Sequence, residues 1–399
     1  MAVSGRTPLD DLGPAGLELS SAFLPYGRQQ IDEHDIAAVA ATLRNDLITQ
    51  GPLLAQFERA FAAYVGARHA VAFANGTAAL HGAAHAAGIS HGDDVITTPL
   101  SFVASANCAL YLGARPRFID VDESTWNLDP RAAAAAATDD TRAIIAVSLT
   151  GLPVDLRALD GIAGSVTVIE DGSHALGAVR SGAKVGGPRG ADMTTFSLHP
   201  VKAMTTGEGG IVTTESDELA ERLRKFRTHG MSRERSGASE LEGSWYYDVT
   251  DLGFNYRLTD FQASLGLSQL RHLDEWIEAR NEIAGWYREL LADEDRIALP
   301  PAAPAGSRHG YHLFVVRVLE GPRRRLAVFE EMRAAGIGVQ LHYIPIYRFT
   351  HYRERLGYPQ DQCPNAEEYY ATALSLPIFP ALSRSDVERV VRELTRLLG

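Results

Sequence analysis

From about residue 30 to residue 270 the chain alternates between a helical and an extended spacing of its apolar positions. Asp32 to Arg44 sets Ile36, Val39, Ala40 and Leu43 on one helical face, and Leu53 to Val65 reads as a second helix. His69 to Ala74 (HAVAFA) is a short strand, followed by a small-residue helix over Thr77 to Gly88. Strands are expected at Asp94 to Thr97 and Arg117 to Val121, with a helix from Phe102 to Tyr111 between them. The alanine run Ala132 to Ala137 predicts a helix before a buried strand over Ala143 to Leu149. Val166 to Ile169, Thr194 to Ser197 and Gly210 to Thr213 are further strands. This order predicts an α/β fold, a mostly parallel central sheet with helices on both faces. Ligands on such sheets bind where loops leave the carboxyl ends of the strands.

A long helix expected over Asp260 to Glu289 would bridge to a second unit. Its pattern is a strand (HLFVVRV), a helix from Leu326 to Ala335, a strand from Val339 to Tyr343 and a closing helix from Ser385. At 399 residues the chain exceeds the length at which one hydrophobic core stops growing. The expected division is therefore a mobile tail over 1–23, a large domain over 24–270 and a smaller C-terminal α+β domain over 271–399.

Hydrophobic residues make up 45% and charged residues 22%, an ordinary globular balance. The net charge of -12 disfavours a nucleic-acid surface yet leaves room for a small phosphorylated ligand held at a helix terminus. No apolar run is long enough for a bilayer, and the N-terminus lacks the basic start and apolar core of a signal peptide, so the cytoplasm is the expected compartment. Cys108 and Cys363 are far apart without metal spacing and suit a reducing environment; no metal is expected. His81 and His85 have helical spacing, but the intervening Gly82-Ala83-Ala84 lacks the acid of a zinc-peptidase motif, so a helix-surface or core role is expected. Arg323 to Arg325 read as a solvated face, and neither a Walker loop nor a Rossmann glycine fingerprint is present.

The segment SLHPVKAMTTGEGG, Ser197 to Gly210, isolates Lys202 among apolar and small neighbours. An amine that must attack an aldehyde has to be neutral part of the time, and desolvation favours that state. The competing reading is a surface lysine in a glycine-rich turn. Asn75-Gly76-Thr77 opens a helix after a strand, as a phosphate cup built from free N–H groups or as a plain N-cap. Asp171 ends an apolar strand, where a carboxylate can keep a pyridine nitrogen protonated or cap the next turn. His174 could bond a phenolic oxygen or lie near a ring. Ser197 could add a phosphate bond, and Phe102 could stack on a planar ring or sit in the core. Asn255 and Arg257 lie in a turn entering a helix, to bind an anion or to cap.

Taken together, NGTAAL, EDGSHALGA, SLHPVKAMTTGEGG and GFNYRLTDFQA resemble the DegT/DnrJ/EryC1/StrS aminotransferases, from about Pro25 to the C-terminus. The resemblance implies pyridoxal 5'-phosphate (PLP), fold type I, and amination of keto sugars on nucleotide carriers with glutamate as donor. It implies Lys202 as the Schiff-base lysine, Asp171 as the acid on the pyridine nitrogen and His174 near the phenolic oxygen. Gly76, Thr77 and Ser197 match phosphate contacts, and Phe102 matches the stacking position. Asn255 matches an asparagine that reaches the phosphate from the other subunit, which implies a homodimer. Lysine rather than histidine at 202 matches the transaminating branch. Gly172, Ser173 and Leu198 depart from the alanines and phenylalanine common in the family. LPYGRQ, DLITQGP and TPLSFVASANCALYLGARP look most like the transaminases of the pseudaminic-acid pathway, which act at C4 of UDP-linked 4-keto-6-deoxy-N-acetylhexosamines. His342 and Tyr343 in LHYIPIY, and Arg257, are the expected substrate contacts by position and polarity. The rival readings are amination of another nucleotide-linked 4-keto or 3-keto deoxysugar, another pyridoxal enzyme, and a catalytically silent binding regulator.

Overall fold

The computed structural model describes residues 23–159, 166–188, 190–233 and 243–399. Residues 1–22 of the expected tail lie outside these. The centre is a seven-stranded sheet. Its strands lie in the order His69–Phe73, Gly210–Thr214, Met193–Ser197, Thr167–Asp171, Thr141–Val147, Asp94–Thr97 and Arg115–Phe118. Only Gly210–Thr214 runs antiparallel to its neighbours; the other pairings are parallel.

Period-two alternation sorts the side chains between two cores. Val71, Phe73 and Val212 point to a core that includes Ala79 and Ala83 of the helix Gly76–Ala86 and Leu223 and Phe226 of the helix Asp217–Arg227. Ala70, Ala72 and Ile211 point the other way, to Phe57 and Phe61 of the helix Pro52–Val65 and Ala263 of Asp260–Gln269. A further antiparallel sheet of Ile297–Ala298, Phe314–Val318 and Ala373–Leu376 carries the helices Pro322–Ala334 and Arg384–Leu398 on its own core. Among the described residues, no helix is long and apolar enough to cross a membrane.

Three expected elements differ. The helix expected over Asp260 to Glu289 is two, Asp260–Gln269 and Leu273–Leu290. The apolar spacing runs through the break because Leu270 and Leu273 both pack on the same core. The second helix then passes Ile283, Ala284 and Tyr287 to the C-terminal core. The strand expected at Arg117 to Val121 is Arg115–Phe118. Pro116 reads as a breaker, but this strand is the sheet edge, where a missing N–H is tolerated. Val339 to Tyr343 is not a strand. Only Gln340 pairs, with Ser375, after which the chain turns into a cleft towards Pro345.

The C-terminal unit meets the sheet at Gly151, which has φ +105. A Cβ there would stand 2.8 Å from both the His174 carbonyl oxygen and the Tyr311 nitrogen. The Gly310 N–H donates to the Gly151 carbonyl at 2.8 Å, and that of Leu313 to Thr150 at 3.1 Å. Gly151→Ala therefore combines a disfavoured backbone with a close clash and should lower unfolding stability by about 3 kcal/mol in urea titrations. An unchanged midpoint would show that the junction can spread.

Candidate active site

The sheet register builds one side of the site. Gly210 pairs with Phe73 on one flank and with Ser197 on the other. The loop that follows Phe73 is thereby set against the end of Met193–Ser197. A Cβ on Gly210 would lie 2.3 Å from the Asn75 carbonyl oxygen, and one on Gly76 would lie 2.9 Å from Ser197 Cβ. Only glycines allow this approach. The Asn75 side chain accepts from the Ala78 N–H at 2.8 Å. The N–H groups of Gly76 and Thr77, in the first turn, have no intrahelical acceptor, and Gly76 lies against the Ser197 side chain.

The next parallel pairing brings in the acid. Asp171 pairs with Thr195 and Val147 and ends its strand at the cleft. Ser105 Oγ donates to Asp171 Oδ2 at 2.7 Å, and the Ser173 N–H donates to Oδ1 at 3.1 Å. Ser101 Oγ lies 2.6 Å from Ser105 Oγ and continues the chain of hydroxyls. Lys202 follows from the loop after Ser197 and is half-buried.

The opposite wall belongs to the C-terminal unit. His174 Nε2 lies 3.1 Å from the Tyr343 hydroxyl, and His342 Nδ1 lies 2.8 Å from Ser375 Oγ. The His312 ring is 4.4 Å from that of His174, and Tyr26 packs 5.4 Å from His342. Arg280, buried in the helix Leu273–Leu290, donates through Nη1 to the carbonyls of Ile378, Tyr311 and His312 at 3.0, 3.1 and 3.4 Å. It thereby clamps the segments that carry this wall.

These walls enclose a cleft of about 850 Å³. Gly76, Thr77, Phe102, Asp171, His174, Ser197, Lys202, His342 and Tyr343 all line it. Phe102 is 59% exposed, so it is a cleft-wall aromatic rather than a core one. Asn255 and Arg257 do not line the cleft of their own chain; Asn255 is exposed and bridges to Thr228. Sequence reasoning missed Tyr26, Ser105, His312 and Tyr256, which also line it. Tyr26 stood in the quoted LPYGRQ and His312 at the start of HLFVVRV, but neither spacing nor charge marked them.

Burial dominates the electrostatics. It brings the Lys202 amine down to about 8, while the Asp171 charge pulls the other way. Burial, then Lys202 and His342, holds His174 well below the ordinary histidine range. Burial, then Lys202, brings His342 to about 3. Burial, then Asp171, raises the Tyr343 hydroxyl. The site thus pairs an amine poised near neutrality with an anchored carboxylate, among neutral imidazoles and a protonated phenol, an arrangement suited to moving protons.

Residues 29–395 match the DegT/DnrJ/EryC1/StrS aminotransferase family. The spore coat polysaccharide biosynthesis protein SpsC of Bacillus subtilis is 39% identical, with 92% of this chain and 95% of that protein aligned. The UDP-4-amino-4,6-dideoxy-N-acetyl-beta-L-altrosamine transaminase of Campylobacter jejuni is 34% identical over 94% of this chain and 98% of its own. Among solved structures, the PLP form of the putative sugar aminotransferase Spr1654 from Streptococcus pneumoniae superposes with a TM-score of 0.87 at 27% identity, covering 94% of this chain and 98% of that one.

The depressed amine has a direct test. In ligand-free protein the rate at which an acylating reagent labels Lys202, read by peptide mass spectrometry, should rise with pH through a midpoint at about 8. Asp171→Asn removes a charge that raises this pKa, so the midpoint should move lower still. A midpoint at the ordinary lysine value, or an upward move in the variant, contradicts the burial argument.

Proposed function

The chain belongs to the DegT/DnrJ/EryC1/StrS aminotransferase family, and from that premise we propose that it aminates the C4 ketone of a UDP-linked 4-keto-6-deoxy-N-acetylhexosamine with glutamate as donor. The broader activity is that of a PLP-dependent sugar aminotransferase. The reading is carried by one observation: Lys202, Asp171 and the Gly76-Thr77-Ser197 cup share a single cleft. The 34% identity to the altrosamine transaminase supports the C4 position and a place in pseudaminic acid biosynthesis. The two buried, unpaired cysteines support a cytoplasmic setting.

The residues present fit PLP. Gly76 leaves no room for a side chain against Ser197, so the helix N-terminus and the serine hydroxyl form one cradle for a phosphate. When bound, PLP supplies the carbonyl that carries the amino group and a ring that withdraws electrons. Asp171, held by Ser105 and the Ser173 N–H, keeps a proton on the pyridine nitrogen. Phe102 offers a flat face to the ring, and His174 and Tyr343 present polar groups from the facing wall. Lys202 anchors the cofactor, and its amine, near neutrality, takes and returns the proton at the substrate carbon. His342 and Tyr343 contact the sugar, and Arg257, which does not line the cleft of its own chain, would meet the donor carboxylate only in the cleft of the partner subunit, as Asn255 would the phosphate. The exposure of Asn255, away from its own cleft, supports a homodimer in which it completes the phosphate cup of the partner subunit.

Two measurements test the proposal. Glutamate should remove the visible absorbance of the PLP-loaded protein, and a nucleotide 4-keto sugar should restore it, with product mass and NMR placing the amine at C4. Lys202→Ala should lose roughly a thousand-fold or more of turnover. Amination of 3-keto sugars alone refutes the C4 assignment, and full turnover in Lys202→Ala would falsify its role. For the dimer, mixing inactive Lys202→Ala with inactive Asn255→Asp subunits should rebuild about a quarter of the sites through heterodimers. If no activity returns, the asparagine does not cross subunits.

A further inference from the structure

Arg280 is a buried cation without an acidic partner. It is 1% exposed, and its three hydrogen bonds all run from Nη1 to main-chain carbonyls. Nε is buried and has no hydrogen-bond partner among the described residues. The side-on edge of the guanidinium, Nε with Nη2, is therefore open, and this is the edge that holds an anion through two parallel N–H groups. Burial alone moves the pKa, down to about 10, and no carboxylate pulls it back up. The group keeps its charge at neutral pH, and a buried charge is costly unless an opposite charge meets it.

Arg280 lines a second, small cavity, and Lys202 borders both this cavity and the cleft. Pro200, Ala203 and Thr205 of the lysine loop stand in its wall, with Gln269, Trp276 and Arg28. No aspartate or glutamate lines it among the described residues. The Asp35 carboxylate accepts from the Gln269 amide but is not part of the wall. Arg28 is exposed, with its guanidinium 5.8 Å from the centre of the Phe379 ring. The free space is about 10 Å³, room for one particle of the size of water.

We propose that this cavity is a site for one small monovalent anion of halide size, chloride in the cell, held by the open edge of Arg280 and by Arg28. A chloride ion is little larger than a water molecule and accepts N–H groups from several directions. The amino donor and the nucleotide sugar are both too large for the space. Bound there, the ion neutralises the arginine that clamps the facing wall, and it ties the lysine loop to the helix Leu273–Leu290. It is a structural ligand, separate from the phosphate cup and from the sugar.

Thermal unfolding of the PLP-loaded protein in sodium chloride and in sodium gluconate, at equal ionic strength, tests this. Gluconate is too bulky for the cavity. Chloride should give a Tm higher by roughly 2 °C or more, levelling into a logarithmic dependence once the site fills, and bromide should do the same. Crystals grown in bromide should show an anomalous peak within hydrogen-bond reach of Arg280 Nε and Nη2. Arg280→Lys keeps a cation near the carbonyls but lacks the forked edge, so it should abolish the difference between the salts. Should that variant fail to fold, Arg28→Gln, at an exposed position, should still diminish it. Equal Tm in the two salts, a cavity without bromide, or a halide effect that either folded variant leaves intact would overturn the proposal. These readouts involve no sugar, so they stand apart from any failure of the C4 assignment.

Discussion

The site depends on one pairing, the parallel register of Thr167–Asp171 beside Met193–Ser197. It ends two strands at the same edge, with Asp171 opposite Thr195 and Ser197 two residues on. The acid, Ser197 and the lysine loop thus leave the sheet at one level. The antiparallel strand Gly210–Thr214 then ties Ser197 to the Phe73 end, which brings the Gly76 helix terminus into the same plane. A one-residue slip in either pairing would turn alternate side chains to the wrong face and divide the set.

Desolvation gives that geometry its chemistry. Burying Lys202 lowers its amine to about 8, and Asp171 prevents a deeper fall. The lysine is therefore neither permanently charged nor permanently inert near neutral pH. Asp171 can serve both neighbours because it is fixed by Ser105 and a backbone N–H rather than by an arginine. A tight ion pair would have taken up the carboxylate. The arginine that is buried nearby, Arg280, is spent instead on main-chain carbonyls, where it holds the facing wall in place.

Legibility followed the locality of the cause. The sheet strands were readable because burial on both faces leaves short apolar runs, and the residues at their ends could be named from position. Gly76, Asp171, Ser197 and Lys202 reach one cleft because each lies on a strand end or its loop. The wall from the C-terminal unit was only partly readable. His342 and Tyr343 were named, but on a strand that does not form, while His312 and Tyr26 carried no local mark at all. Their place is set by contacts between distant segments, such as Gly151 against Tyr311. The edge strand was displaced by Pro116, which breaks an inner strand but not an outer one.

The same division explains how a chain of net charge -12 accommodates anionic ligands. Among the described residues lining the cleft, Lys202 is the only lysine or arginine. An anion in the cleft meets, besides that amine, the oriented N–H groups of a helix terminus, which carry partial charge without a titrating side chain. On the facing wall the imidazoles of His174, His312 and His342 are kept neutral by burial, beside the hydroxyls of Tyr26 and Tyr343. Such groups discriminate by the direction of a hydrogen bond, not by charge, and their positions depend on the segments that Arg280 clamps. A strongly cationic cleft would bind many nucleotides tightly and distinguish them poorly. A neutral one, correctly oriented, asks the sugar ring itself to match.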